Sequence, residues 1–562
     1  MIRLLLSMLL IGLAWLPAGL LRLLRHRRAR RRIAVLDLSA RQSSLELAAL
    51  LEELAAMAQD GVCRGVLLRL GGAPLGWADA GALREALGRA RAAGLLVLAH
   101  VEGATNADLL VASAADRVWL TPASDVHLVG VGADLVFFGD ALERLGVQVD
   151  LVAAGAYKSF GEPFGRAWPS AANREATGAL VSDLQEQLVA AVAEGRRLSP
   201  GAVRALMERA PLGAEEAVEE GLADGLCYDD QVERALDELL GGAAVFTSWR
   251  RVAFWRRQQA RLDRLGRRRP MVVVVHLEGG VTLREGGGRS RTISAERVVP
   301  TLEALGAHGG VGAVVLAINS PGGGALPSDN IARAVQRLAA KKPVVAALGD
   351  VAASGGYYIA APAAEIVAQP GTITGSIGVV GGKLVYGPAV GRYGVHHERV
   401  AAGPNGGVYG PWEPFTPPQR ERFQASLART YQRFLMVVAG GRRRPLSSVE
   451  PIAQGRVWTG QQALALGLVD RLGGLELAVE RAAALASLRG ARVGHVDFPP
   501  PRLHTLARLV QVRLARGSAG LGTLAGLLDG ARLPALPSLL ADAPGQPLAL
   551  LPWMVDGVPE ER

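Results

Sequence analysis

Short runs of Val, Leu and Ile alternate with alanine-rich segments of helical period along most of this chain. Runs of four to six apolar residues predict strands: IAVLDL from Ile33, VLLRL from Val66, LLVLA from Leu95, VVVVHL from Val272, VVLAI from Val314 and VVAAL from Val344. Segments such as Asp79 to Ala93 and Ser328 to Ala340 predict the helices between them. A strand buried on both faces reads as a continuous apolar run, so this rhythm predicts parallel sheets with covering helices, an α/β fold. Such sheets carry their chemistry in the loops after the strands.

The pattern occurs twice. VLLRLGGAPLG, Val66 to Gly76, lines up with VVLAINSPGGG, Val314 to Gly324; Leu95 to Ala99 lines up with Val344 to Leu348, and Asp116 with Glu365. GEPF ending at Phe164 matches WEPF ending at Phe415. The spacing between matched positions drifts only from 248 to 251, as duplication with small loop insertions produces. The expected organisation is a first repeat over 33–245, a basic linker over 246–270, a second repeat over 271–498, and a Pro/Leu/Ala-rich extension over 499–562.

Residues 1–32 read as a membrane anchor with a basic flank. Leu4 to Leu21 is an uncharged apolar stretch of 18 residues, long enough to span a bilayer as a helix, and seven arginines follow between Arg22 and Arg32. A cleavable signal peptide carries its positive charge before the apolar run, where only Arg3 stands, so an uncleaved single-pass anchor attracted to anionic lipid fits better. Arginines after the span place the body in the cytoplasm. The net charge of +10 and pI near 10.1 come from this cluster and from nine arginines between Arg250 and Arg269, rather than from a continuous nucleic-acid-binding face. Cys63 and Cys227 are the only cysteines, too few for a disulfide scaffold or a cysteine metal cluster.

Two post-strand loops of the second repeat stand out. Asn319-Ser320-Pro321-Gly322-Gly323-Gly324 contains glycines that leave backbone amides uncovered, as an oxyanion hole needs. In GDVAASGGYYIAA, Gly349 to Ala361, Ser354 precedes Gly-Gly and an apparent helix, which suits a nucleophile, although a serine before Gly-Gly is more often an N-cap or turn residue. No GxSxG elbow surrounds Ser354, HExxH and P-loop patterns are absent, and the pair His396-His397 reads as a solvated surface segment. No cofactor or metal is called for.

An activating base is then sought among the lysines, of which this chain has four against 58 arginines. A position that keeps lysine needs what guanidinium lacks, an amine that burial can deprotonate. Lys341 and Lys342 precede Pro343 in a turn and Lys383 lies in a glycine-rich stretch, whereas Lys158 lies in GAYKSFGEPF after the strand VDLVA. Its alternative is a salt bridge with Glu162.

Together, INSPGGG, DVAASGGYYIA, PGTITGSIGV (Pro370 to Val379) and YKSFGEPF resemble the signal peptide peptidase A (protease IV) family of the long tandem-repeat type, within the Clp protease/crotonase superfamily. The resemblance covers roughly residues 33 to 490. It implies a membrane-bound serine endopeptidase acting on cleaved signal peptides and other apolar peptides, assembled as a homotetramer with its body outside the cytoplasm, the opposite side from that given by the arginines. It assigns Ser354 as nucleophile, Lys158 as general base, Gly323 and the N–H of Gly355 as oxyanion donors, and Ser376 as the serine that orients the lysine. Gly324 departs from the family, which often has serine there.

The repeat supports a divided site. Ser354 faces Thr105 of the first copy, Gly322 and Gly323 face Pro74 and Leu75, and Lys158 projects onto Gly407 to Tyr409, where the second copy has no lysine. Each copy lacks what the other retains, so nucleophile and base meet across a repeat interface, within one chain or between chains. Two other classes stay open: a crotonase-like acyl-CoA enzyme, and a non-catalytic membrane scaffold in which Ser354 is a cap and Lys158 a surface charge.

Overall fold

The computed structural model describes residues 32–38, 44–60, 62–71, 75–253, 270–285, 291–488, 492–498 and 548–550. The expected anchor, most of the basic linker and most of the C-terminal extension lie outside these residues. Among the described residues, no helix is long and apolar enough to cross a membrane.

The first half contains a six-stranded, all-parallel sheet in the order Gly225–Leu226, Arg117–Leu120, Leu96–Val101, Gly65–Leu70, Arg32–Asp37, Val245–Ser248. Its apolar runs are buried on both faces, as the continuous patterning predicts. Ala34, Leu36, Val66 and Leu68 pack with the helices Ser44–Asp60, Trp77–Ala92 and Ala171–Arg196, while Ile33, Leu67 and Leu98 meet Val232 and Leu236 on the opposite side. The first unit also runs past residue 245. Val245–Ser248 pairs with Arg32–Asp37, and Trp249, Val252 and Ala253 enter the first core at helical spacing while Arg250 and Arg251 stay exposed. Arginine density masked that inward face in the sequence.

The second half repeats the design. Its main path is Val457–Thr459, Ile373–Gly375, Val344–Ala353, Val311–Ser320, Met271–Glu278, Arg492–Phe498, with Glu365–Ala368 and Arg471–Leu472 alongside. Val344–Ala353 forks: Val345 to Leu348 pair with Glu365–Ala368, and Val351 to Ala353 pair with Ile373–Gly375. The fork opens the sheet at the end of the strand that leads into Ser354.

A third sheet, which the apolar pattern does not predict, joins the halves. Its order is Thr292–Ser294, Gly280–Thr282, Gly322–Gly324, Leu548–Leu550, Val379–Val385, Gln148–Ala154. Gln148–Ala154 of the first half pairs antiparallel with Val379–Val385 of the second along its whole length. Val351, Ala353, Ile373 and Val457 of the second half are also buried in the core of the first. Asp350, itself buried, accepts hydrogen bonds from the Ala78 and Asp79 amides at 2.9 and 3.0 Å and so caps the helix Trp77–Ala92 across the joint. The cap works because position 76 is glycine: a Cβ there would lie 1.8 Å from the Asp350 carboxylate.

Candidate active site

Ser354 stands between the strand Val344–Ala353 and the short helix Gly355–Ala360. The chain turns there at φ 53°, ψ −113°, a conformation that L side chains seldom adopt. The turn is held from both sides: the Ser354 amide donates to the Gly375 carbonyl at 2.8 Å, and the Tyr358 amide donates to the Ser354 carbonyl at 2.8 Å. The Ser354 side chain makes no capping hydrogen bond and is fully buried. Its counterpart in the first copy behaves differently. Thr105 has ordinary extended geometry and forms a capping box with Asp108 at the start of the helix Asn106–Ala112. The capping role open to Ser354 in the sequence is filled by Thr105 and not by Ser354.

Lys158 arrives from the first half. The strand Gln148–Ala154 aims the following loop at the joint, where the Tyr157 amide donates to the Gln454 carbonyl at 2.7 Å. The Lys158 backbone rests on Gly455, a residue at φ +77° whose hypothetical Cβ would lie 2.6 Å from the Lys158 Cβ and nitrogen. Only glycine permits so close an approach. The Lys158 Nζ then lies 2.8 Å from Ser354 Oγ, 3.0 Å from Ser376 Oγ and 3.1 Å from the Ser376 carbonyl oxygen. The two residues meet within one chain. Glu162, the alternative partner, instead accepts from the Ser170 amide and from Asn173 Nδ2. Lys158 is 4% exposed, and this burial pushes its amine well below the ordinary value of 10.5.

Ser376 follows the strand Ile373–Gly375, is fully buried, and sits at φ 50° with its amide donating to the Arg456 carbonyl at 2.7 Å. The Arg456 guanidinium pairs with Glu175 of the first half at 2.5 Å and lies over the rings of Tyr157 and Trp458. Residues 454 to 456 therefore hold the lysine loop with one set of backbone groups and Ser376 with another. Sequence reasoning missed this segment. Its one local signal is a glycine, in a chain that has 70 of them.

The glycine loop closes the site. Gly322 and Gly323 have φ of 109° and 158°, and a Cβ on Gly323 would lie 2.2 Å from the Val281 carbonyl oxygen. Gly355 abuts this loop, for a Cβ there would be 3.1 Å from both Gly322 Cα and the Gly323 nitrogen. The amide of Gly323 thus lies beside the residue that follows Ser354. The structure brings all five expected residues, Ser354, Lys158, Ser376, Gly323 and Gly355, to one place. A hydroxyl and a buried amine, with the Gly323 and Gly355 backbone beside them, are the groups that acyl transfer requires. Among the described residues, the one His/carboxylate grouping with metal-ligand spacing, His100, Glu102 and Asp229, lies in the first half, and its Asp229 is paired with Arg69 at 2.9 Å.

The model of peptidase family S49 matches residues 89–242 and 336–489, once in each half. The first interval contains Lys158 and the second contains Ser354 and Ser376. Protease 4 of Salmonella typhi is 32% identical over 424 residues, spanning 74% of this chain and 67% of that protein. The chloroplastic serine protease SPPA of Arabidopsis thaliana is 29% identical over 501 residues, 87% of this chain and 72% of that one. A putative signal peptide peptidase SppA of Enterococcus faecium is 36% identical over 170 residues, covering 30% of this chain and 49% of that protein.

Proposed function

Since the chain belongs to peptidase family S49, we propose that it is a membrane-associated serine endopeptidase whose nucleophile is Ser354 and whose general base is Lys158. The observation that carries the reading is the 2.8 Å approach of Lys158 Nζ to Ser354 Oγ in a setting that excludes water from the amine. Kept neutral by burial, the amine has one lone pair and two N–H bonds. The N–H bonds satisfy the Ser376 carbonyl and hydroxyl oxygens, and the lone pair accepts the Ser354 proton as Oγ attacks a peptide carbonyl. Ser376 is a positioning residue in this scheme. The amides of Gly323 and Gly355 receive the oxyanion; loss of one such donor typically costs about 10²- to 10³-fold in rate. Lys158 next delivers its proton to the departing amine, and water hydrolyses the acyl-enzyme by the same route.

The substrates on this reading are cleaved signal peptides and other apolar peptides, and the active form is a membrane-anchored homotetramer. The names of the relatives support the substrates, and the Leu4 to Leu21 run supports the anchor. Large apolar side chains left in the open, Trp168, Tyr393 and Val400, support a protein or lipid partner. An acyl-CoA enzyme would have no use for an amine poised on a serine, and a scaffold would have no use for a strained, uncapped one.

The test is hydrolysis of an apolar peptide ester by the full chain. Ser354→Ala and Lys158→Ala each abolish turnover while the melting temperature stays within a few degrees of wild type. Full activity in Lys158→Arg would exclude proton abstraction by that residue, since guanidinium stays charged.

A further inference from the structure

Where the parallel strands of the first sheet begin, at the end away from their post-strand loops, lies a cleft of about 590 Å³. Five arginines, Arg64, Arg91, Arg117, Arg196 and Arg197, share it with two carboxylates, Asp116 and Asp224, an excess of three positive charges. Both carboxylates are already committed. Asp116 accepts from the Val97 amide at 2.9 Å and pairs with Arg91 at 2.8 Å; Asp224 accepts from the Val118 amide at 2.7 Å and pairs with Arg196 at 3.0 Å, with Arg117 farther off at 3.6 Å. Among the described residues, neither Arg64 nor Arg197 pairs with a carboxylate.

The second copy shows that the fold does not need this excess. Ile366 and Asp470 exchange the same two hydrogen bonds as Val118 and Asp224, Asp470 pairs with Arg442 as Asp224 does with Arg196, and Arg443 turns at φ 52° as Arg197 does at 58°. On that match Arg117, the residue before Val118, corresponds to Glu365, which is paired with Arg471 and Arg481. Arg64 corresponds to Gly312 at the repeat spacing of 248. Arg196 and Arg197 close a helix, where a cation offsets the helix dipole. Arg64 and Arg117 stand at strand starts and have no such role.

Guanidinium groups bind phosphate through paired N–H donors, and the cleft falls within the range of about 300–1,000 Å³ usual for ligand sites, more than a bare ion fills. Its rim also receives the chain from the expected anchor: the Arg64 amide donates to the Arg32 carbonyl at 2.8 Å, so the arginine flank and the apolar run Leu4 to Leu21 join the first unit beside this cleft. We propose that the cleft binds the phosphate of an anionic phospholipid headgroup and so fixes the first unit against the bilayer. The choice of a lipid rests on the membrane-associated reading above; nothing in it depends on the chemistry of Ser354 and Lys158.

The experiment titrates full-length protein in non-ionic detergent, by calorimetry, with dihexanoyl-phosphatidylglycerol, dihexanoyl-phosphatidylcholine and inorganic phosphate. Wild type binds the phosphatidylglycerol more tightly than either of the others. Arg64→Gly combined with Arg117→Glu installs the residues that the second copy carries, so the fold tolerates it, and it weakens that binding about tenfold or more through loss of charge-assisted hydrogen bonds. Arg234→Glu combined with Arg333→Gln makes the same change of net charge on exposed helix positions and leaves binding unchanged. Unweakened binding in the first pair, or an equal loss in the second, overturns the site. Inorganic phosphate binding to wild type as tightly as phosphatidylglycerol overturns the lipid assignment. Ester hydrolysis is measured on the same samples, and full turnover without lipid binding overturns this inference while leaving the endopeptidase reading intact. Full-length wild type found entirely in the soluble fraction of cells overturns the membrane reading itself.

Discussion

Gly455 gives the sharpest mechanical test of how the site is held. It sits at φ +77°, and an alanine Cβ there would lie 2.6 Å from the Lys158 Cβ and nitrogen and 2.7 Å from its Cα, where ordinary contact begins at 3.4 Å. The obstacle is backbone, which cannot swing aside as a side-chain tip would. Relieving the overlap moves the lysine loop by about 0.8 Å, and a misplacement near 1 Å at a reacting group costs about 10²-fold in rate. The left-handed conformation adds about 1–2 kcal/mol of destabilisation for a residue with a Cβ. Gly455→Ala should therefore lower kcat for an apolar peptide ester about 10²-fold, with KM nearly unchanged and melting only modestly earlier. Gly440→Ala is the control, since its Cβ would meet nothing within 4 Å and its φ is not positive. A folded Gly455→Ala enzyme with kcat within threefold of wild type would refute the claim that this contact places the amine.

Other expectations concern titration and capping. Because burial lowers the Lys158 pKa, turnover rises with pH through that lowered value and levels off well below 10.5. The same shift affects folding: between the lowered value and 10.5 the unfolded chain binds more protons than the folded one, so stability increases with pH across that window. Lys158→Met should flatten this part of the melting-temperature profile, and an unchanged slope would trace it to other groups. Thr105→Ala should cost about 1 kcal/mol through loss of its capping box, measured by urea unfolding, with turnover unchanged. Asp350→Ala, which strips the cap from the helix Trp77–Ala92 across the joint, should cost about 1–2 kcal/mol by the same measurement; a loss near zero would show that the two units are held without it.

The features legible in the sequence were those that burial or scarcity writes into residue type. Strands such as Gly65–Leu70 and Met271–Glu278 read as strands because both faces are covered, and Lys158 was conspicuous because the chain uses arginine almost everywhere else. The third sheet was hidden although one of its pieces was not: the VDLVA part of Gln148–Ala154 read as a strand, but nothing in the sequence pairs it with Val379–Val385, and Gly322–Gly324 is all glycine. Val245–Ser248 was obscured by the neighbouring arginines, whose outward positions do not interfere with the inward ones. Gly455, Arg456 and Asp350 act through backbone groups or across 200 or more positions, as when Asp350 meets Ala78. Such relations exist only once the chain is folded.

If Ser354 and Lys158 act as the proposed dyad, its division between the two halves also sets when the enzyme comes into being. A chain made from its N-terminus exposes the amine long before the hydroxyl has been synthesised, and a fragment that stops short of Ser354 has nothing for the amine to activate. On that reading the nascent polypeptide holds no complete dyad until its second unit has docked on the first. Final assembly of the molecule thereby serves as its activation step.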